Sequence, residues 1–97
     1  MKIAAVCSSG LGSSFMVEMN MKDVLNDLGV AEQVEATHMD MGGAQANDAD
    51  QFFVGKELAD AASDQFGDKV TVLNSLIDKD ELREKIQSFL QEQDILD

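Results

Sequence analysis

Short runs of strand-forming residues alternate with helical or small polar segments along the whole 97-residue sequence. Apolar runs occupy residues 3–6, 52–54 and 70–73, and an alternating run occupies residues 34–38. Strands that alternate with helices favour a parallel sheet with right-handed crossovers and helices on both faces. We therefore predict a doubly wound α/β fold with a four-stranded parallel sheet of order 2-1-3-4, which places the first strand inside the sheet.

Apolar spacing and terminal residues predict where the first helix lies. Ser13 or Ser14 is expected to cap its start, Gly29 is expected to end it, and its buried face comprises Val17, Met21, Val24 and Leu28. Residues 42–48 are small and polar, which indicates a short helix or a loop. Residues 56–66 are weakly helical in pattern, with Leu58, Ala61, Ala62 and Phe66 on one side.

The last helix has the clearest start signal in the sequence. Asp78 followed three residues later by Glu81 has the form of a capping box. An apolar stripe follows, made of Leu82, Ile86, Phe89 and Leu90. We expect residues 94–97 to fray.

Size and charge limit the function classes. A chain of 97 residues predicts a single domain over residues 1–97. Nineteen acidic residues against seven basic ones give a net charge of −12, which disfavours nucleic acid and direct binding to anionic lipid. With one cysteine, no signal-like start and no run of about 20 apolar residues, the chain is predicted to be cytoplasmic and not inserted in a membrane. The acidic clusters lack a calcium-loop order, so we predict no metal and no cofactor.

One octet carries the predicted chemistry. It follows the first strand, opens the first helix, and reads Cys7, Ser8, Ser9, Gly10, Leu11, Gly12, Ser13 and Ser14. Helix starts present unpaired backbone N–H groups and a dipole that favours anions, and glycines let the backbone approach a phosphate closely. A cysteine there should ionise readily, so Cys7 is the predicted nucleophile and the remaining seven residues the predicted phosphate cradle.

The spacing of residues after Cys7 excludes two other kinds of phosphate-binding loop. A cysteine phosphatase loop needs an arginine six positions after the cysteine, where this chain has Ser13, and the single arginine is Arg83 near the other end. A Walker loop needs Gly-Lys-Ser/Thr, and no lysine lies between Lys2 and Lys22. A different thiol enzyme, or a module that only binds an anion, remains an alternative.

The octet resembles the active-site loop of the cysteine-phosphorylated enzyme IIB components of the bacterial phosphoenolpyruvate-dependent sugar phosphotransferase system. It is most similar to the ascorbate type, which shares Cys-x-x-Gly-x-Gly-Ser-Ser, although Ser8 stands where that type usually has glycine. Met16, Met19 and Leu25 continue the similarity into a Met-rich helix. Mannitol-type loops are also similar over the octet, and lactose/cellobiose-type loops more loosely.

The resemblance implies a specific activity. Cys7 would accept phosphate from a phosphohistidine on a IIA protein and pass it to a sugar held by the membrane component IIC. Ascorbate, or a related sugar acid or polyol, is the substrate class that this loop favours.

Two further groups near the octet leave two interpretations each. His38 ends the predicted second strand on the same edge as Cys7, either assisting the thiolate or facing solvent from a loop. Phe15, Met16 and Met19 lie off the buried face of the first helix, where they form either a docking surface for partner proteins or a contact with a neighbouring helix.

Overall fold

A computed structural model describes residues 1–7 and 13–96, with the backbone alone for Ser13 and Ser14. The strands are β1 (Lys2–Cys7), β2 (Glu35–Asp40), β3 (Gln51–Gly55) and β4 (Val70–Leu73). The helices are α1 (Ser13–Asp27), α2 (Ala59–Phe66, preceded by a 3₁₀ turn at Lys56–Leu58) and α3 (Lys79–Glu92).

The sheet has the order β2-β1-β3-β4, and all three neighbouring pairs are parallel. This confirms the predicted fold class and strand order. β1 lies inside the sheet, where residues 3–6 are fully buried, because a strand with helices on both faces has no solvent-facing side.

Successive side chains of β1 enter two separate cores, because strand residues alternate between faces. Ile3 and Ala5 join the larger cluster, to which α1 and α3 contribute, and Ala4 and Val6 join the smaller cluster with α2. Each cluster also receives one phenylalanine of β3. Phe53 packs edge-to-face on Phe89 of α3, whereas Phe52 stacks on Phe66 of α2.

α1 ends as the glycine predicts. Gly29 adopts a left-handed φ of 76°, and its N–H donates to the Asn26 carbonyl at 3.1 Å. The next N–H, that of Val30, donates to the Leu25 carbonyl at 3.0 Å, and both of these side chains are buried in the larger core. These are the two bonds and the apolar contact of a Schellman motif.

The fraying expected for residues 94–97 is wrong over residues 94–96, and Asp97 lies outside the described residues. α3 closes with the same motif, with Asp94 at φ 60° in the position that Gly29 occupies in α1. The N–H groups of Asp94 and Ile95 donate to the carbonyls of Gln91 and Leu90. Ile95 and Leu96 then pack against the larger core, so apolar contact holds this segment in place.

Other local predictions need smaller corrections. Ser13 and Ser14 both lie within α1, so neither precedes the helix as its predicted cap. The segment 42–48 is a loop of turns and not a helix, and Ala61 is exposed while Ala62 and Phe66 are buried as predicted. β2 runs two residues beyond His38, to Asp40.

Asp78 caps α3 as predicted, but the reciprocal half of the capping box is absent. The Asp78 carboxylate accepts from the N–H groups of Asp80 and Glu81 at 3.0 and 3.2 Å. The Glu81 carboxylate accepts instead from the N–H groups of Asn74 and Ser75, at 2.7 and 3.0 Å. Glu81 therefore fixes the loop after β4 rather than the cap residue itself.

Candidate functional site

Cys7 is the last residue of β1, at the carboxyl edge of the sheet where ligands bind in open parallel α/β folds. It is half-buried and packs against the larger core, so its backbone is well anchored. Its carbonyl accepts the Met41 N–H at 3.0 Å, and its pairing partner across β2 is Asp40. The thiol is thus fixed at the mouth of the site rather than sealed within the protein.

The predicted cradle lies mostly outside the described residues. Ser8, Ser9, Gly10, Leu11 and Gly12 are not described, and only the backbone is described for Ser13 and Ser14. The flanks of the cradle are clear, because β1 ends at Cys7 and α1 begins at Ser13. The first turn of α1 has no acidic residue, so no carboxylate of that turn competes for its N–H groups.

The side of the site toward β2 contains a charged cluster that sequence reasoning did not find, formed by Glu18, His38 and Lys22. Glu18 of α1 is 8% exposed, and its Oε1 lies 2.9 Å from Nδ1 of His38 on β2. Its other oxygen, Oε2, lies 3.1 Å from Nζ of Lys22, one turn further along α1. The i,i+4 spacing of Glu18 and Lys22 was visible in the sequence, but the pairing with His38 depends on how α1 packs on the sheet.

The electrostatics of this cluster favour an ionised carboxylate. Burial alone would raise the pKa of Glu18. Hydrogen bonds from His38 and Lys22, together with their charges, outweigh burial and hold the pKa of this carboxyl below its ordinary value. A carboxylate can only accept hydrogen bonds, so Nδ1 of His38 is the protonated nitrogen in this contact.

His38 fits neither sequence interpretation fully. It lies within a strand rather than in a loop, but its side chain is 39% exposed, so it does face solvent in part. Its ring also meets the Phe15 ring edge-to-face at a centroid distance of 5.9 Å. Its pairing partner on β1 is Ala5, two residues before Cys7.

The apolar residues beside the cradle are exposed. Phe15, Met16 and Met19 have 52%, 56% and 52% of their surface open to solvent. Packing against a neighbouring helix is therefore ruled out for these side chains. An exposed apolar surface of this kind is typical of a docking surface.

Arg83 lies far from the cradle. Its Nη2 is 2.6 Å from the Asp27 carboxylate at the last residue of α1. Asp27 is fourteen positions after Ser13 in α1, a distance of about 21 Å along the helix axis. Arg83 therefore does not clamp a phosphate beside Cys7.

Two grooves of the described surface lie away from Cys7. One of about 540 Å³ opens beside Met1, Leu25 and Ala36, toward the amino ends of the strands. Another of about 500 Å³ lies at the start of α3 and is lined by Asp78, Asp80 and Glu81. The second groove is acidic and its loop amides are already bonded to Glu81, so neither groove resembles an anion site.

Comparison with known proteins decides the family. Residues 2–88 match the family described as "PTS system, Lactose/Cellobiose specific IIB subunit". The chain belongs to this family. It is a IIB component of a sugar phosphotransferase system. Phosphoryl transfer is the general kind of reaction in which such components take part.

A curated relative and a solved structure agree with this assignment. The "Ascorbate-specific PTS system EIIB component" of Mycoplasma pneumoniae is 23% identical over 88 residues, covering 91% of this chain and 93% of that protein. The solution structure of a low molecular weight protein tyrosine phosphatase from Bacillus subtilis aligns with a TM-score of 0.65. The two are 17% identical, over 95% of this chain and 98% of the phosphatase, so this likeness concerns the fold alone.

Within the described residues, no helix is long and apolar enough to cross a membrane. IIB components in general work with IIA proteins and with membrane-embedded IIC components.

Proposed function

We propose that Cys7 carries the phosphoryl group in this IIB component, taking it from a phosphohistidine of a IIA protein and donating it to a sugar bound by IIC. The observation that supports this most strongly is the position of Cys7, half-buried at the carboxyl end of a central strand and six residues before an acid-free helix start. Ser8, Ser9, Gly10, Leu11, Gly12, Ser13 and Ser14 form the cradle in this proposal.

The transfer step needs a thiolate and little else. The Cys7 sulfur attacks phosphorus, the S–P bond forms as the donor's N–P bond breaks, and the thiol proton ends on the donor imidazole. In the second transfer a sugar hydroxyl oxygen attacks phosphorus, the S–P bond breaks and the thiol is restored with the hydroxyl proton. Phosphoryl transfer depends mainly on positioning and on stabilising the equatorial oxygens, which backbone N–H groups of the cradle supply.

The substrate proposal follows the named relative. The Mycoplasma pneumoniae protein is called ascorbate-specific, and the octet of this chain resembles the ascorbate type. We therefore assign ascorbate, or a related sugar acid or polyol, as the sugar of this system, with the chain acting in the cytoplasm as one phosphocarrier domain over residues 1–97.

Phe15, Met16 and Met19 serve in this proposal as the contact surface for the IIA donor. They flank the first turns of α1 and are each more than half exposed. Methionine side chains adapt to different partner shapes, which suits a protein that must release its donor before it meets its acceptor.

The phosphatase alternative lacks support in the described structure. Its arginine clamp has no counterpart, because Arg83 is engaged with Asp27 at the opposite end of α1. The likeness to the phosphatase structure is one of fold, and function depends on the site rather than on the fold.

Intact mass tests the carrier directly. The protein is incubated with phosphoenolpyruvate, the general phosphotransferase proteins and an ascorbate-type IIA protein, and we expect the mass of one phosphoryl group to be added. Cys7→Ser should remove the addition. The double variant Cys7→Ser/Ser63→Cys, which moves the thiol to an exposed position of α2, is the matched control and should also stay unphosphorylated.

Phosphorylation of Cys7→Ser would contradict the proposal. So would hydrolysis of a phosphate ester by the wild-type protein in the absence of the donor proteins.

A further inference from the structure

Glu18 is the one charged side chain that is buried among residues 1–7 and 15–96. It is almost fully buried beside the site, and its two carboxylate oxygens contact different side chains, Nζ of Lys22 and Nδ1 of His38. Burial of a carboxylate is costly unless it is paired and hydrogen-bonded, and both conditions are met here. The mechanism proposed above does not use this cluster.

The register of the sheet places His38 close to Cys7. His38 pairs with Ala5, and Cys7 lies two residues further along the neighbouring strand. Ala5 and Cys7 belong to the face that α1 covers, and Glu18 of α1 reaches His38 on that same face. The Cα atoms of His38 and Cys7 are therefore about 8 Å apart, since they are separated by one strand spacing across the sheet and by two residues along the strand.

Three other charged groups face this part of the sheet. Glu18 and Lys22 approach from α1, and Asp40 is the pairing partner of Cys7 on β2. The Glu18–His38–Lys22 cluster is neutral when the imidazole is neutral and has a net charge of +1 when it is protonated. Protonation of His38 therefore adds a local positive charge on a chain whose net charge is −12.

We propose that His38 is the electrostatic partner of the anion carried by Cys7, and that Glu18 is the positioning residue that holds its ring through Nδ1. The imidazole binds its second proton more tightly when the sulfur is a thiolate or carries a phosphoryl group. By the same linkage, the protonated ring stabilises that anion. The role in phosphoryl transfer rests on the proposed function, but the coupling of His38 to Cys7 does not.

The chain contains one histidine and one cysteine, so both sides of the coupling are observed without ambiguity. Cys7 is alkylated with iodoacetate, which leaves a negative charge, or with iodoacetamide, which leaves a neutral group of nearly the same size. The titration of the His38 ring is then followed by NMR. We expect its midpoint to lie about 0.4 pH unit higher in the charged adduct at low salt, as a unit charge at about 8 Å in water predicts. The difference should shrink at 1 M salt.

A second measurement separates this role from a structural one. The rate of Cys7 alkylation by iodoacetamide is measured from pH 5 to 9 for the wild type and for His38→Gln, in which an amide donor replaces the imidazole. The wild type should show an extra inflection where the imidazole titrates, and His38→Gln should lose it. Lys22→Gln, which removes the other partner of Glu18, is the matched control and should keep the inflection.

The role of Glu18 has its own spectroscopic signature. In the wild type, the ring nitrogen shifts of neutral His38 should report the Nδ1–H tautomer, because Glu18 accepts from that atom. In Glu18→Gln the population should move toward the Nε2–H tautomer. A wild-type ring in the Nε2–H form would overturn the positioning role.

Equal titration midpoints in the two adducts, or superimposable alkylation profiles for wild type and His38→Gln, would overturn the coupling. These outcomes are independent of the carrier test. Failure of phosphorylation with the coupling intact would reject the carrier function alone, and phosphorylation without the coupling would reject only the role of His38.

Discussion

α1 and α3 pack side by side on the same face of the sheet, yet their starts are built in opposite ways. The start of α3 is filled by carboxylates of its own chain, with Asp78 as the cap and Asp80 and Glu81 in the first turn. The start of α1 has no acidic residue in its first turn and follows the cysteine after an interval of five residues. The dipole of α3 is thus satisfied by its own chain, whereas in the proposed function the start of α1 receives an external anion.

The largest effect is expected when the start of α1 is given a carboxylate, as the start of α3 has. Ser14→Asp places a carboxylate in the first turn of α1, where it competes with the phosphoryl group and repels it. We expect at least about a tenfold loss in phosphate acceptance, the effect of roughly 1.4 kcal/mol of repulsion. Initial rates of phosphorylation by the IIA donor measure it.

Ser63→Asp is the control for that substitution, since it adds the same charge at an exposed position of α2. It should leave the rate within about twofold of wild type. Equal losses in the two variants would mean that net charge, and not the start of α1, governs acceptance.

Glu18 of α1 is held by His38 of β2, and acid should weaken the contribution of this contact to stability. Because the pKa of Glu18 lies below 4.5 in the folded protein, its contribution to stability is fully present above that pH. It is lost as the pH falls through the lower folded-state value. At pH 7, Glu18→Gln should reduce the free energy of unfolding by about 1–2 kcal/mol.

Urea unfolding at pH 7 and at a series of values below 4.5 measures the difference between wild type and Glu18→Gln. The gap should narrow steadily as the pH falls. A gap that stays constant down to pH 3 would contradict the electrostatic origin of the loss.

Removal of the Asp78 carboxylate from the start of α3 should lower the stability of the protein without changing its phosphorylation. Asp78→Ala deletes the acceptor for the N–H groups of Asp80 and Glu81, and we expect a loss of about 1 kcal/mol. Thermal or urea unfolding measures this loss, while phosphorylation of the folded variant should proceed at the wild-type rate. A reduced rate would indicate that the two helix starts are coupled.

The smallest expected effects on stability come from the C-terminal ends of α1 and α3. Gly29 and Asp94 occupy the same left-handed position of two Schellman motifs. Gly29→Ala should lose about 1 kcal/mol, and Asp94→Gly should gain up to about 1 kcal/mol, because glycine adopts positive φ without steric cost. Asp94→Gly also removes a negative charge from a helix C-terminus. Shifts of the unfolding midpoint in opposite directions, down for Gly29→Ala and up for Asp94→Gly, would confirm that the C-terminal ends of α1 and α3 are equivalent.

The contrast between α1 and α3 also explains what the sequence could predict. Strand order, the Asp78 cap, the Gly29 stop and the buried stripe of α3 depend on local pattern and on simple topological rules, and all are confirmed. Cys7 was singled out by the loop that follows it, and its placement at the carboxyl edge follows from the parallel sheet.

Features that depend on packing between distant segments could not be predicted in the same way. Glu18 and His38 are twenty residues apart, and nothing in either local pattern indicates that they meet. Glu81 formed part of a capping-box pattern, but the loop after β4 passes close enough to take its carboxylate. The order of residues 93–96 came from Ile95 and Leu96 reaching the core, which a short polar terminus did not suggest.

The division of the apolar interior by the sheet has a practical consequence for anyone altering this protein. Cys7, α1 and the Glu18–His38–Lys22 cluster all lie on the side of the larger core, whereas α2 covers the smaller one. Labels, affinity handles or peptide insertions attached along the outer surface of α2 would therefore leave the reactive side untouched. Substitutions in the larger core would affect both stability and the surroundings of Cys7, whereas those in the smaller core under α2 would act mainly on stability.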